Sequence, residues 1–272
     1  MQMAAATRPR VIAFQGINNF RDFGGWRAAD GARVVTGVLF RSAHMARATS
    51  ADLARLADLR LAAVTDLRQR KERDEHPSAW LGKLAFRVIE EQDDSADYVG
   101  GSKAQPPHVA AFSQSNFSRD AMVDLLAGHY ATMPYDPRHI VLFLRYFDHL
   151  SRQRGGMVVH CAAGKDRTGI LVRLTHHILG VHPDDAMEDY LLSNTAGNVM
   201  ERLPSLKRRM EETYDRPIEA EAIQALLTVE PAYIERCWAA LAATSGSVDA
   251  YLVNVLGIDA AKQQAIRERL LS

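Results

Sequence analysis

A thiol that ionises can attack an electrophile, and a guanidinium six positions away can hold the oxygens of a tetrahedral anion in front of it. Cys161 and Arg167 stand at that spacing in HCAAGKDRTG, residues 160–169. The spacing alone says little in an arginine-rich chain, and Cys161 could be a small buried residue with Arg167 a surface charge. The flanking sequence decides the matter. GMVVH, residues 156–160, reads as a short strand, and the apolar pattern from Thr168 to Leu179 reads as a helix. A tight loop between strand and helix turns several backbone N–H groups toward one point at a helix N-terminus, an arrangement that suits a phosphoryl dianion. Ala162, Ala163 and Gly164 are small enough to let the loop close. We therefore expect Ala162, Ala163, Gly164, Lys165, Asp166, Arg167 and Thr168 to bind phosphate, and Arg167 to add a planar clamp that does not titrate away.

The same donors favour a thiolate at Cys161, because a helix N-terminus and nearby cations lower a thiol from its usual value of about 8.5. Thr168 is placed to donate to the sulfur, and His160 to brace the loop from the strand side. Lys165 reads either as a second cation at the mouth, fit for substrates with more than one phosphate, or as a solvated surface lysine. Asp166 reads as a general acid toward the leaving oxygen or as a helix cap. Asp93, Asp94 and Asp97 are the alternative acids, in a polar stretch spanning 91–118 that includes Gly100-Gly101 and Pro106-Pro107 and reads as a long surface loop at the site's rim. Asp66 and Arg68, at the end of a predicted strand, either shape the site or form a salt bridge. Arg21 and Asp22 are expected to stabilise a turn with Gly24 and Gly25.

The elements that would position these residues read as α/β. Strands are predicted over 61–67, 84–90 and 156–160, with a pair of short strands around Thr36-Gly37 in 32–40. Helices are predicted from Ser50, over 119–133, and over 137–153 with Ile140, Leu144, Phe147 and Leu150 on one face. After Pro183 the pattern is helical to the end, with breaks near Pro204, Pro217, Pro231, Ser245-Gly246 and Gly257. The reading is one domain over residues 1–272, a central sheet flanked by helices.

Composition narrows the class. Of 272 residues 47% are hydrophobic, enough for a sizeable core, and the formal net charge of zero gives no reason to expect nucleic acid or an anionic membrane as partner. The two cysteines offer no disulfide framework, and Cys237 beside Trp238 reads as a packed small residue. His176 and His177 point about 100° apart on a helix and make no two-ligand face, so no metal is expected. No dinucleotide or Walker fingerprint is present, and no other cofactor is expected. The lack of a signal-like or membrane-length apolar run suggests a cytoplasmic protein, while export without an N-terminal signal stays open.

Together with HCAAGKDRTG, the segments NFRDFGG (19–25), LFRS (39–42), VTDLR (64–68) and DYLLSN (189–194) resemble the bacterial tyrosine/serine and lipid phosphatases typified by mycobacterial protein tyrosine phosphatase B. The motifs span residues 17–195, and the helical remainder matches by pattern. The resemblance implies a two-step, metal-independent mechanism through a cysteinyl-phosphate. It further implies phosphotyrosine, phosphoserine or phosphothreonine and phosphoinositide substrates, inorganic phosphate as product, and a helical lid, here within 196–241. A phospho-binding module without turnover is the alternative from another class. An arsenate reductase or sulfur transferase is disfavoured because no second cysteine is adjacent in sequence.

Overall fold

A computed structural model describes residues 10–91, 118–152 and 155–272. Its strands are Arg21–Asp22 (β1), Leu39–Ser42 (β2), Leu61–Asp66 (β3), Arg87–Ile89 (β4) and Gly156–His160 (β5). They form one sheet in the order β1-β2-β5-β3-β4. β2, β5, β3 and β4 run parallel, and β1 joins the β2 edge antiparallel. The chain is thus α/β, with a mixed central sheet between helices.

Side chains alternate across a strand, and here the alternation sorts two cores. Leu39, Ala63, Met157 and Val159 face one core with Leu142, Phe143, Tyr146 and Phe147 of the helix Pro137–Arg152 (α4) and Ile170, Leu171 and Leu174 of the helix Asp166–Ile178 (α5). Phe40, Val64 and Val158 face the other, under Leu56 of the helix Ser50–Asp58 (α1) and Trp80. Both faces of the central strands are covered, which is why they read as continuous apolar runs. Thr49 and Asp52 close a capping box at the start of α1, and Asp52 also accepts the N–H groups of Gln15 and Gly16, fastening the incoming chain there.

Two further helices fill the connections, the short Arg70–Glu75 (α2) between β3 and β4 and the longer Arg119–Thr132 (α3) before α4. After α5 come Pro183–Leu191 (α6), Ser193–Ala196 (α7), Val199–Tyr214 (α8), Ala220–Leu227 (α9), Pro231–Ser245 (α10), Val248–Asn254 (α11) and Ala260–Leu270 (α12). Val199, Ile218, Ala222, Ile223, Ala225 and Leu227 build a third, smaller core against Met122 of α3. Among the described residues no helix is long and apolar enough to cross a membrane.

Several local expectations are corrected. Residues 32–40 do not form a hairpin. Val34 pairs back to Trp26 and Gly25, and the N–H groups of Arg33 and Val35 go to the Ser272 and Leu270 carbonyls, so their partners come from the far end of the chain. The 84–90 strand shrinks to Arg87–Ile89. Leu144 is 37% exposed, because the buried stripe of α4 runs through Leu142, Phe143, Tyr146, Phe147 and Leu150 instead. Pro204 does not interrupt α8; it sits inside the helix, where it removes one N–H and leaves the flanking turns in place. The polar stretch expected as a rim lies outside the described residues over 92–117, and Asp93, Asp94 and Asp97 with it.

Candidate active site

β5 delivers a fully buried strand end to the sheet's C-terminal edge, the side on which open α/β sheets hold ligands. The loop then turns at Gly164, whose φ is +68° and where a Cβ would lie 2.1 Å from the Ser42 carbonyl oxygen, so only glycine fits. The carbonyls of Ala162, Ala163 and Gly164 each have a donor from outside the loop. The His44 N–H reaches the Ala162 oxygen at 3.1 Å, Asn19 Nδ2 reaches those of Ala163 and Gly164 at 2.9 and 3.0 Å, and Arg41 Nη2 reaches that of Gly164 at 2.9 Å. A trans peptide points its N–H opposite to its C=O. Tying three carbonyls outward therefore turns the N–H groups of Ala163, Gly164 and Lys165 the other way, and among the described residues none of the three donates to a protein acceptor.

Arg167, the second residue of α5, is held rigidly. Its Nη1 and Nη2 make a two-pronged contact with Glu72 at 2.6 and 2.7 Å, and Nη1 also donates to the Leu67 carbonyl at 3.0 Å. Burial opposes the guanidinium charge, but Glu72 and the neighbouring Cys161 outweigh it and push Arg167 further up, so it is cationic at any pH of interest. Burial likewise opposes the Glu72 carboxylate, which Arg167 nevertheless holds below its usual range. Cys161 itself is 1% exposed.

Asp166, the first residue of α5, accepts the Tyr130 hydroxyl at 2.7 Å, and Tyr190 in turn donates to Tyr130 at 2.8 Å. Lys165 is nearly buried. Its ammonium lies 3.2 Å from Asp166 Oδ1 and donates to the Leu226 and Thr228 carbonyls at 2.7 and 3.0 Å, the negative end of α9. The expected second cation at the mouth is therefore engaged by the candidate lid. Among the described residues Thr168 Oγ1 is buried without a hydrogen-bond partner, the Cys161 sulfur included. His160 Nδ1 lies 3.4 Å from the Cys161 carbonyl oxygen and Nε2 3.6 Å from Asp66, while burial pulls the ring toward neutrality. Asp66 pairs with Arg68 through two-pronged contacts of 2.7–3.1 Å, and Arg68 also holds the His76 carbonyl and Ser78.

The remaining motif segments converge beneath the loop. Asp22 makes the expected turn, accepting from Gly24 at 2.8 Å and also from Gly37. Arg21 does not take part in it. It points inward, donating to Asp189 Oδ1 at 3.3 Å, to the Asp189 carbonyl at 2.8 Å, to Ser193 at 3.0 Å and to Asn19 Oδ1. Arg41 donates to Asp189 Oδ2 at 2.7 Å. Sequence reasoning gave no role to Asn19, Arg41, Glu72, Tyr130 or Asp189. The available signal was two arginines and an aspartate in short motifs far apart in the chain, and Glu72 carried none beyond its place three residues after Gln69, whose N–H it accepts at 2.8 Å to cap α2.

The parallel strands of the sheet thus feed a Cys-x5-Arg loop into a helix N-terminus. The comparisons name the family: the tyrosine phosphatase family model matches residues 12–272, and the chain belongs to that family. A Cupriavidus necator protein provisionally named a tyrosine-protein phosphatase is 32% identical over 92% of this chain and 86% of its own. The triple specificity protein phosphatase PtpB of Mycobacterium tuberculosis is 26% identical over 96% of this chain and 99% of its own. A solved structure of P. aeruginosa TpbA with phosphotyrosine covers 75% of this chain and 96% of its own at 15% identity, and its TM-score of 0.28 lends it no weight. The chain is a phosphatase acting on phosphorylated substrate.

Proposed function

We propose that this phosphatase works through a cysteinyl-phosphate on Cys161, with residues 162–168 as the phosphate cradle. The reading rests on one observation, the three loop carbonyls tied outward by His44, Asn19 and Arg41 beside an Arg167 pinned by Glu72. In the first step the Cys161 sulfur forms a bond to phosphorus as the ester P–O bond breaks, and the leaving oxygen takes a proton from Asp166. In the second, a water oxygen attacks phosphorus, the S–P bond breaks, and Asp166 takes the water's proton, releasing inorganic phosphate. Arg167 offers two parallel N–H groups to the equatorial oxygens, and charge that builds up there meets fixed donors already in place. Asp166 is preferred as the acid because Tyr130 and Lys165 both engage Oδ1, which leaves Oδ2 without a hydrogen-bond or ion-pair partner among the described residues.

The substrate range proposed is broad: phosphotyrosine, phosphoserine or phosphothreonine, and phosphoinositides. The name of the Mycobacterium tuberculosis relative, a triple specificity phosphatase, supports that breadth. The whole chain is proposed as one catalytic domain, with the helices of 196–241 as its lid, tied to the loop through Lys165. Turnover of para-nitrophenyl phosphate tests the mechanism. The native chain is expected to hydrolyse it and Cys161→Ser to lose turnover, with a phosphoenzyme trapped in Asp166→Asn; retained turnover in Cys161→Ser would sink the reading. Initial rates on phosphotyrosine peptides, phosphoserine peptides and phosphoinositides then measure the range.

A further inference from the structure

Beneath the phosphate loop lies a group of charges that the reaction does not touch. Arg21, Arg41 and Asp189 are each 0% exposed. Asp189 bridges the two arginines, and the three carry two positive charges and one negative, a surplus of one positive charge sealed from water. Burial and the neighbouring Arg41 lower Arg21 only to about 9, so Arg21 stays charged at neutral pH. Burial opposes the Asp189 carboxylate, but the arginines hold it down at about 2. The charges beyond the three, Arg10, Asp22, Asp185 and Glu188, are half-buried or exposed and so screened by water, and burial drives His176 toward neutrality. Arg41 Nε is itself buried without a hydrogen-bond partner among the described residues.

A buried uncompensated charge destabilises a fold, so its retention calls for a counter-charge nearby. The arginine geometry indicates where. Arg41 reaches past Asp189 to the Gly164 carbonyl, while Arg21 orients Asn19, whose left-handed φ of 58° aims Nδ2 at the Ala163 and Gly164 carbonyls. The surplus charge thus sits one peptide away from the N–H groups of Gly164 and Lys165.

We propose that Arg21, Arg41 and Asp189 are positioning residues whose surplus positive charge is balanced by the phosphate dianion, so that the triad sets anion affinity through the loop and not only its shape. The inference rests on the assignment of the phosphate cradle. Its distinguishing consequence is a change of sign. Arg41→Gln removes the surplus, while Asp189→Asn raises it to two charges, so the two variants shift phosphate affinity in opposite directions. Damage to the loop's shape alone would weaken binding in both.

Calorimetric titration of the full-length chain with inorganic phosphate reads this directly, with thermal unfolding as the check on folding. Arg41→Gln is expected to bind about 30-fold more weakly, Arg41→Lys within about 5-fold of the native chain, and Asp189→Asn about 3-fold more tightly despite a lower kcat. Weakening in Asp189→Asn, or native affinity in a folded Arg41→Gln, overturns the proposal. Should Arg41→Gln not fold, Asp189→Asn decides; should neither fold, Arg41→Lys decides, and weakening beyond about 10-fold counts against the surplus-charge role. Phosphate binding by the native chain is the separate control: its absence would overturn the cradle itself, whereas same-sign shifts with Cys161 still essential overturn only the triad's role.

Discussion

Arg167 shows how much of a side chain's work depends on its anchor. A lysine there keeps the charge but cannot face Glu72 and two phosphate oxygens in one plane, so Arg167→Lys is expected to lower kcat/KM by about 100-fold or more. Steady-state kinetics on para-nitrophenyl phosphate check this, and near-native kcat/KM would refute the clamp. The cysteines should separate by reactivity. Burial pushes the Cys237 thiol well up, so iodoacetate near neutral pH is expected to label Cys161 first, with phosphate protecting it, as peptide mass mapping would read. Cys161 and Arg167 were legible because their chemistry is carried by type and spacing within ten residues. Arg21 was not. Beside Asp22 and two glycines it reads as a turn residue, and only the fold reveals that its partner is 168 positions away.

At the scale of elements, the loop is made by its neighbours as much as by its own residues. Gly164→Ala must relieve a 2.1 Å approach to the Ser42 carbonyl and a left-handed φ, which shifts the loop or β2. Phosphate affinity and turnover are both expected to fall at least about 100-fold, and titration with phosphate measures the first. In α2 the side chain of Glu72 caps its own helix and locks Arg167. Glu72→Gln, which keeps the shape and loses the charge, should cost about 10-fold in kcat/KM with little change in melting temperature. Strands β3 and β5 and helices α1, α3 and α4 were legible from their periodicity, to within a residue or two. The supposed hairpin at 32–40 was not, because β-branched residues announce a strand without naming its partner, and here the partner is the C-terminal segment.

For the molecule as a whole, buried groups set an acid limit. Burial lowers His139 from its ordinary 6.5 to about 4, so the unfolded chain takes up a proton first as pH falls. The stability tied to His139 is complete above about 6.5 and drains away down to about 4. Asp189 adds a second window. Its folded value of about 2 lies below its ordinary 3.8, so its contribution is whole above the latter and is lost as pH drops through the former. Thermal melts from pH 7 to pH 3 are expected to fall throughout, and His139→Gln should flatten the upper part of the curve. A melting temperature constant over that range would contradict both assignments.

The long reach of the contacts under the loop bears on how the molecule comes into being. Asn19 meets Gly164 across 145 positions, Arg41 meets it across 123, and Arg21 meets Asp189 across 168. Such closures are entropically costly and come late, whereas helices form from near neighbours. During refolding from denaturant, far-UV ellipticity should therefore return before the capacity to capture phosphate, which makes ligand capture a stricter reporter of complete assembly than helicity.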